Sequence, residues 1–196
     1  MLGLFVESDG RVWFGVACDD SGVFATSFGF SKQRVLESLM RDIPHGISFQ
    51  QQESPSPLAR RVLGALKNVY YGKDCSDAVP LTMEHVSGYA RKILGAVILI
   101  PVGYASSYGL VAKAGGGSAR AVGRIMATNP FAPIVPCHRV VTSDYGLGGY
   151  GGGLDAKLAF LKREKRGYTS AREISVDGKK LHVFPVEFVL KRLAKE

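Results

Sequence analysis

The sequence predicts an α/β fold from three features. Three β-rich segments separated by tight-turn signals open the chain, helical spacing takes over after residue 31, and a short helix, a glycine turn and a second helix occupy residues 106–127. The predicted architecture is a small N-terminal three-stranded antiparallel sheet with helices (residues 1–77), followed by a mainly helical C-terminal domain containing a helix-turn-helix (residues 78–196).

Leu2–Glu7, Val12–Cys18 and Val23–Phe30 are rich in β-branched and aromatic residues, and Asp9-Gly10 and Asp19-Asp20-Ser21-Gly22 supply the turns. Ser31 is placed to cap a helix with Val35, Leu36, Leu39 and Met40 at helical spacing. Pro44 to Pro57 reads as a loop, and Pro57 opens a helix with Leu58, Val62, Leu63, Leu66 and Val69 on one face. Tyr71 to Asp77 reads as the linker between the domains. Thr82 is expected to cap a helix to about Leu94, and the apolar run Ala96–Ile100 to form a strand. Ser106 or Ser107 starts a short helix through Ala114, Gly115-Gly116-Gly117 breaks it, and Ser118 caps a second helix, Ala119–Ala127, which stops before Asn129-Pro130. A helix over Asp155–Arg166 with apolar Leu158, Ala159 and Leu161, a hairpin around Asp177-Gly178, and a terminal helix from Pro185 complete the chain.

Composition is that of a globular protein, with 46% hydrophobic and 21% charged residues among 196. No apolar run reaches the ~20 residues of a membrane helix. The N-terminus has neither a basic start nor a cleavage site, so a cytoplasmic chain without membrane association is expected. The net charge of +8 points to polyanionic partners, DNA or RNA, or to solubility alone. Cys18, Cys75 and Cys137 make neither a metal spacing nor an even disulfide set, and His45, His85, His138 and His182 are scattered. No metal and no cofactor are expected.

Lys113, Arg120, Arg124 and Arg139 lie around the glycine-rich segment. On the Ser118-capped helix, Val122, Ile125 and Met126 form the inward stripe; Arg120, Gly123, Arg124 and Ala127 form the other face. That face suits either close approach to DNA, with arginines on phosphates, or plain solvation.

Ile134-Val135-Pro136-Cys137-His138-Arg139-Val140-Val141 has the apolar flanks of a buried strand with a thiol, an imidazole and a guanidinium at its middle. A free cysteine is only about 3% thiolate at pH 7, so a neighbouring histidine backed by a carboxylate would raise the reactive fraction. A buried structural cysteine is the other reading. Adjacent strand residues also point to opposite faces, so His138 needs a bend or a water to reach the sulfur.

Pro136-Cys137-His138-Arg139-Val140 resembles the active-site motif of the O6-alkylguanine-DNA alkyltransferases (methylated-DNA–protein-cysteine methyltransferases). Ile100 to Ala112 resembles the family's entry into its helix-turn-helix, Ala119-Arg120-Ala121-Val122-Gly123 its recognition helix, Asn129-Pro130 its hinge, and Gly149 to Leu154 with the helix reaching Glu164 the segment after the motif. The resemblance covers roughly Thr82 to Tyr168. It implies DNA repair by a single, suicidal transfer of an alkyl group from O6 of guanine, or O4 of thymine, to Cys137. It further implies His138 as the base acting through a water, Glu164 as the group that polarises it, Asn129 as a brace and Tyr108 as a hydrogen-bond donor to the leaving guanine. Arg120 would enter the gap left by the flipped base, and Ala121, Gly123, Arg124, Ser118 and Lys113 would meet DNA from the minor-groove side. Met126, the Val140 backbone and the amides of Tyr150 and Gly151 would line the base pocket, and Arg139 would be structural. Gly151 stands where many relatives have serine, and Ala127 where a basic residue is frequent. The implied partner is double-stranded DNA containing O6-alkylguanine, met by a monomer. An alkyltransferase-like protein that only binds damage would lack the acceptor, whereas Cys137 is present; a cysteine hydrolase and a transcription regulator are the remaining rivals.

Overall fold

The computed structural model describes residues 1–74 and 79–195. Cys75 and the predicted boundary at 77/78 lie outside the described residues. The chain divides into two compact units. The first holds Met1–Tyr70, the described part of Cys75–Val86, and Pro130–Ile134. The second holds Tyr71–Asp74, Ser87–Asn129 and the described part of Val135–Glu196.

In the first unit, β1 (Leu2–Asp9), β2 (Val12–Asp19) and β3 (Gly22–Gly29) form the expected antiparallel meander. A fourth strand, β4 (Phe49–Gln51), pairs parallel to β1, so the sheet has four strands in the order β3-β2-β1-β4 rather than three. All three β4 residues are exposed. The strand is held by backbone pairing alone, which leaves no alternating pattern for sequence to show. Helix α1 (Lys32–Asp42) packs on β1–β3 and α2 (Pro57–Tyr70) on β1 and β2. Burial on both faces makes β2 a nearly continuous buried run. Gly15 lets α1 approach, since a Cβ there would stand 2.5 Å from Val35. The outer edge of β3 is covered: Thr26 donates its amide to Pro130 O at 2.8 Å and its hydroxyl to Ala132 O at 2.9 Å, while Val23 pairs with Leu81.

The second unit begins with α3 (Gly88–Ile98), capped by the Ser87 hydroxyl and not by Thr82. This helix absorbs most of Ala96–Ile100, the predicted strand; a short apolar run has the same composition in a buried helix and a buried strand. The strand comes later, as β5 (Tyr104–Ser107). Helices α4 (Tyr108–Gly115) and α5 (Ala119–Ala127) are capped by Ser107 and Ser118. They are joined through Gly116 and Gly117, at φ 91° and 84°, values that only glycine adopts freely. Next come β6 (Val140–Val141), α6 (Leu154–Arg163), the hairpin β7 (Arg172–Val176) and β8 (Lys179–Pro185), and α7 (Val186–Leu193). A sheet in the order β6-β5-β8-β7 runs through this unit beside its five described helices, so the unit, though richer in helix than in strand, is mixed α/β. No described helix is long and apolar enough to cross a membrane.

Candidate functional site

Cys137 does not sit in a strand. Cys137–Arg139 forms a single 3-10 turn leading into β6. The bend aims three adjacent polar side chains at a common interior, which a pleated strand cannot do. Cys137 N donates to Val135 O and Arg139 N to Pro136 O, both at 2.8 Å. Asn129 Nδ2 donates to Val135 O at 2.9 Å, tying the end of α5 to the start of the turn.

His138 and Glu164 are fully buried and Arg139 nearly so. His138 Nε2 lies 2.8 Å from Glu164 Oε1. Arg139 donates Nε and Nη2 to the same carboxylate at 2.9–3.1 Å, and Nη1 to Ile100 O at 2.6 Å. Burial opposes ionisation of Glu164, but His138 and Arg139 outweigh it and bring the carboxyl down to about 2. Ionised, it can only accept, so His138 Nε2 carries the proton and Nδ1 offers a lone pair. Burial also lowers the His138 pKa, so the ring rests neutral. Nδ1 is buried without a hydrogen-bond partner in the protein, and the ring is held by stacking on Phe160 at 4.4 Å. A neutral imidazole with a free Nδ1 and a carboxylate behind it is a ready proton acceptor.

Cys137 lies on the wall of a cleft of about 430 Å³ lined by Tyr108, Ala119, Gly123, Met126, Ala127, Gly149, Tyr150 and Gly151. Burial raises its thiol pKa, opposed by Asn129 and by the Lys157 ammonium. The resting group is thus a thiol that needs a base. Of the residues expected at a base pocket, Met126, Tyr150 and Gly151 line this cleft. Val140, expected there through its backbone, is not among the lining residues and is fully buried. Arg120, Arg124, Lys113 and Ser118 are exposed, Ala121 and Gly123 half-buried. The Ser118 hydroxyl is engaged as a cap, accepting from Ala121 N at 3.3 Å.

Sequence reading missed Lys157. Its side chain is fully buried, and Nζ donates to Val140 O at 2.6 Å, Leu147 O at 2.5 Å and Gly149 O at 3.2 Å. Burial lowers its pKa to about 8. The buried stripe of α6 is Lys157, Phe160 and Leu161, continued by Glu164, while Leu158 and Ala159 are only half-buried. The signal was available: a lysine at i, with apolar residues at i+3 and i+4 and an acid at i+7, places a cation on the inward face.

Residues 88–166 match the family described as 6-O-methylguanine DNA methyltransferase, DNA binding domain. A methylated-DNA–protein-cysteine methyltransferase of Mycobacterium leprae is 47% identical over 79 residues, 39% of this chain and 48% of that protein, so the chain matches about half the length of that relative. The solved structure of O6-methylguanine-DNA methyltransferase from the hyperthermophilic archaeon Pyrococcus kodakaraensis superimposes with a TM-score of 0.65 at 30% identity, covering 84% of this chain and 99% of that one. Mycobacterium tuberculosis OGT in complex with DNA gives 0.65 at 25% identity, covering 83% and 92%. At 33% identity over 121 residues, which span 69% of the methylated-DNA–protein-cysteine methyltransferase of Methanothermobacter thermautotrophicus and 61% of this chain, the protein belongs to the methylated-DNA–protein-cysteine methyltransferase family.

Proposed function

We propose that this protein repairs DNA by moving a methyl or other alkyl group from O6 of guanine, or O4 of thymine, in double-stranded DNA to Cys137, once per molecule. The observation that carries this reading is a cysteine on a cleft wall, followed in the chain by a histidine that is hydrogen-bonded at 2.8 Å to a buried carboxylate. The Cys137 proton passes through a water to His138 Nδ1, and Glu164 stabilises the imidazolium. The thiolate attacks the alkyl carbon, a C–S bond forms, and the C–O6 bond breaks with its electron pair going to guanine. Tyr108 donates a hydrogen bond to the departing base, and the amides of Tyr150 and Gly151 donate to O6. The product is a thioether with no easy route to hydrolysis, so the acceptor is spent.

The target atom is inside the duplex, so the nucleotide must leave the stack. Helices α4 and α5 act as a helix-turn-helix with α5 at the minor groove. Small Ala121 and Gly123 permit close approach, Arg124 and Lys113 neutralise phosphates, Ser118 holds the start of α5, and Arg120 fills the space of the extruded base. Asn129 braces the acceptor turn, and Met126 walls the base. The protein acts as a monomer.

Intact mass after mixing with O6-methylguanine duplex tests the reaction: a gain of one methyl group, located at Cys137 and never exceeded, is expected. Arg120→Ala separates extrusion from chemistry. Transfer from duplex DNA should slow much more than transfer from free O6-benzylguanine, which needs no extrusion; equal slowing of both would take Arg120 out of that role.

A further inference from the structure

One wall of the cleft is an unusual piece of chain. Residues 146–153 contain six glycines in eight positions, and glycine loses more conformational freedom on ordering than any other residue. Yet Tyr150 and Gly151 must stand at fixed places for their amides to meet a reacting oxygen. Lys157 supplies one tie, through the carbonyls of Leu147 and Gly149. A second tie comes from the end of the chain, which lies beyond the matched family domain. Tyr145, just before the glycines, is held at φ 65°, a left-handed conformation disfavoured for a bulky residue. Its ring meets Phe184 at 4.9 Å and Phe188 at 5.9 Å, both edge-on. Tyr145 and Leu147 pack on a cluster in which Phe184, Val186 and Val189 are buried. The same helix α7 reaches the exit of α6: Glu187 Oε1 accepts the backbone amides of Arg166, Gly167 and Tyr168. The C-terminal segment therefore grips the pocket wall at its upstream end, and also the chain just past the helix that carries Lys157 and Glu164.

We propose that the C-terminal hairpin and helix, seated on Tyr145 through Phe184 and Phe188, are a brace that fixes the Gly149–Gly151 wall and so governs which O6 substituents are presented to Cys137. This rests on the alkyl-transfer reading above. Tyr145, Phe184 and Phe188 are positioning residues; none lines the cleft.

Single turnover provides the test, because the final extent of Cys137 alkylation reports the folded fraction while the rate constant reports geometry. Tyr145→Gly removes the ring and suits the left-handed backbone, and Phe188→Ala truncates a half-buried side chain, so both should fold. With saturating O6-methylguanine duplex, each is expected to reach one methyl per chain with a rate constant ~10- to 100-fold lower, the scale set by slight misplacement at a preorganised site. The benzyl-to-methyl rate ratio should rise, since a looser wall admits the larger substituent. Tyr145→Phe, which keeps the ring, should react at the rate of the unsubstituted chain. Unchanged rate constants and ratio in both variants, or reduced extent at an unchanged rate constant, would overturn the brace. An unsubstituted chain that gains no alkyl group would instead overturn the transfer reading, and the brace with it.

Discussion

Cys137→Ala is expected to transfer no alkyl group while binding duplex DNA as tightly as the unsubstituted chain. The sulfur is the sole nucleophile in the proposed reaction, and no other side chain on the cleft wall can replace it at neutral pH: the Tyr108 and Tyr150 hydroxyls are both pushed up by burial. Affinity is expected to rest on phosphate contacts from the exposed basic residues of α4 and α5, which the substitution leaves in place. The resting thiol is neutral, so alanine removes no buried charge and strands no ionic partner. Mass spectrometry should show no adduct, and titration of labelled duplex an unaltered affinity. Residual transfer by this variant would sink the assignment of the acceptor.

Glu164→Gln should damage both the reaction and the fold. One carboxylate serves His138 and Arg139, and Arg139 has little solvent to turn to. Leaving its guanidinium uncompensated should cost about 3–5 kcal/mol, a loss of about 6–20 °C in melting temperature for a chain of this size. The pH dependence follows from the folded-state carboxyl lying at about 2 against an ordinary ~4.3. A depressed carboxyl contributes stability fully above the higher value, and that contribution drains away as pH falls towards the lower one. The melting difference between the two proteins should thus hold steady at neutral pH and close below about pH 4. In the reaction, an amide stabilises the imidazolium less than a carboxylate does, so His138 becomes a weaker base and transfer needs a higher pH. A pH–rate profile that does not move would remove Glu164 from the relay, whatever the melting curves show.

Much of this architecture is legible in the sequence alone. Ser118 caps the helix expected of it, with the predicted bounds Ala119–Ala127, because cap, glycine break and the Asn129-Pro130 stop all act locally. The meander and the helix opened by Pro57 were legible for the same reason. What failed was whatever depends on distant partners. β4 exists only because β1 lies beside it. The run at Ala96 is helical because α3, already capped at Ser87, continues through it. The apolar flanks of Cys137 suggested a strand, but two backbone bonds to Val135 and Pro136 wind it into a turn. Lys157 was overlooked because a lysine reads as solvent-facing until three carbonyls are found around it. Arg139 was expected to be structural, and its partners, Glu164 and the Ile100 carbonyl, lie 25 and 39 residues away.

The cover on β3 bears on the order in which the protein is made. Thr26 leaves the ribosome well before the carbonyl that accepts its hydroxyl, which belongs to a residue 106 positions later. Domains usually fold as they emerge, N-terminal part first. Leu81 closes the β3 edge at Val23 early, but the edge at Thr26 stays open until Pro130–Ile134 has been synthesised, and the same stretch of chain links Asn129 to the turn that bears Cys137. An unpaired strand edge invites pairing with other chains. A nascent or truncated chain ending near Val86 should therefore be the aggregation-prone species of this protein, and the arrival of five residues from the middle of the sequence is what removes the hazard.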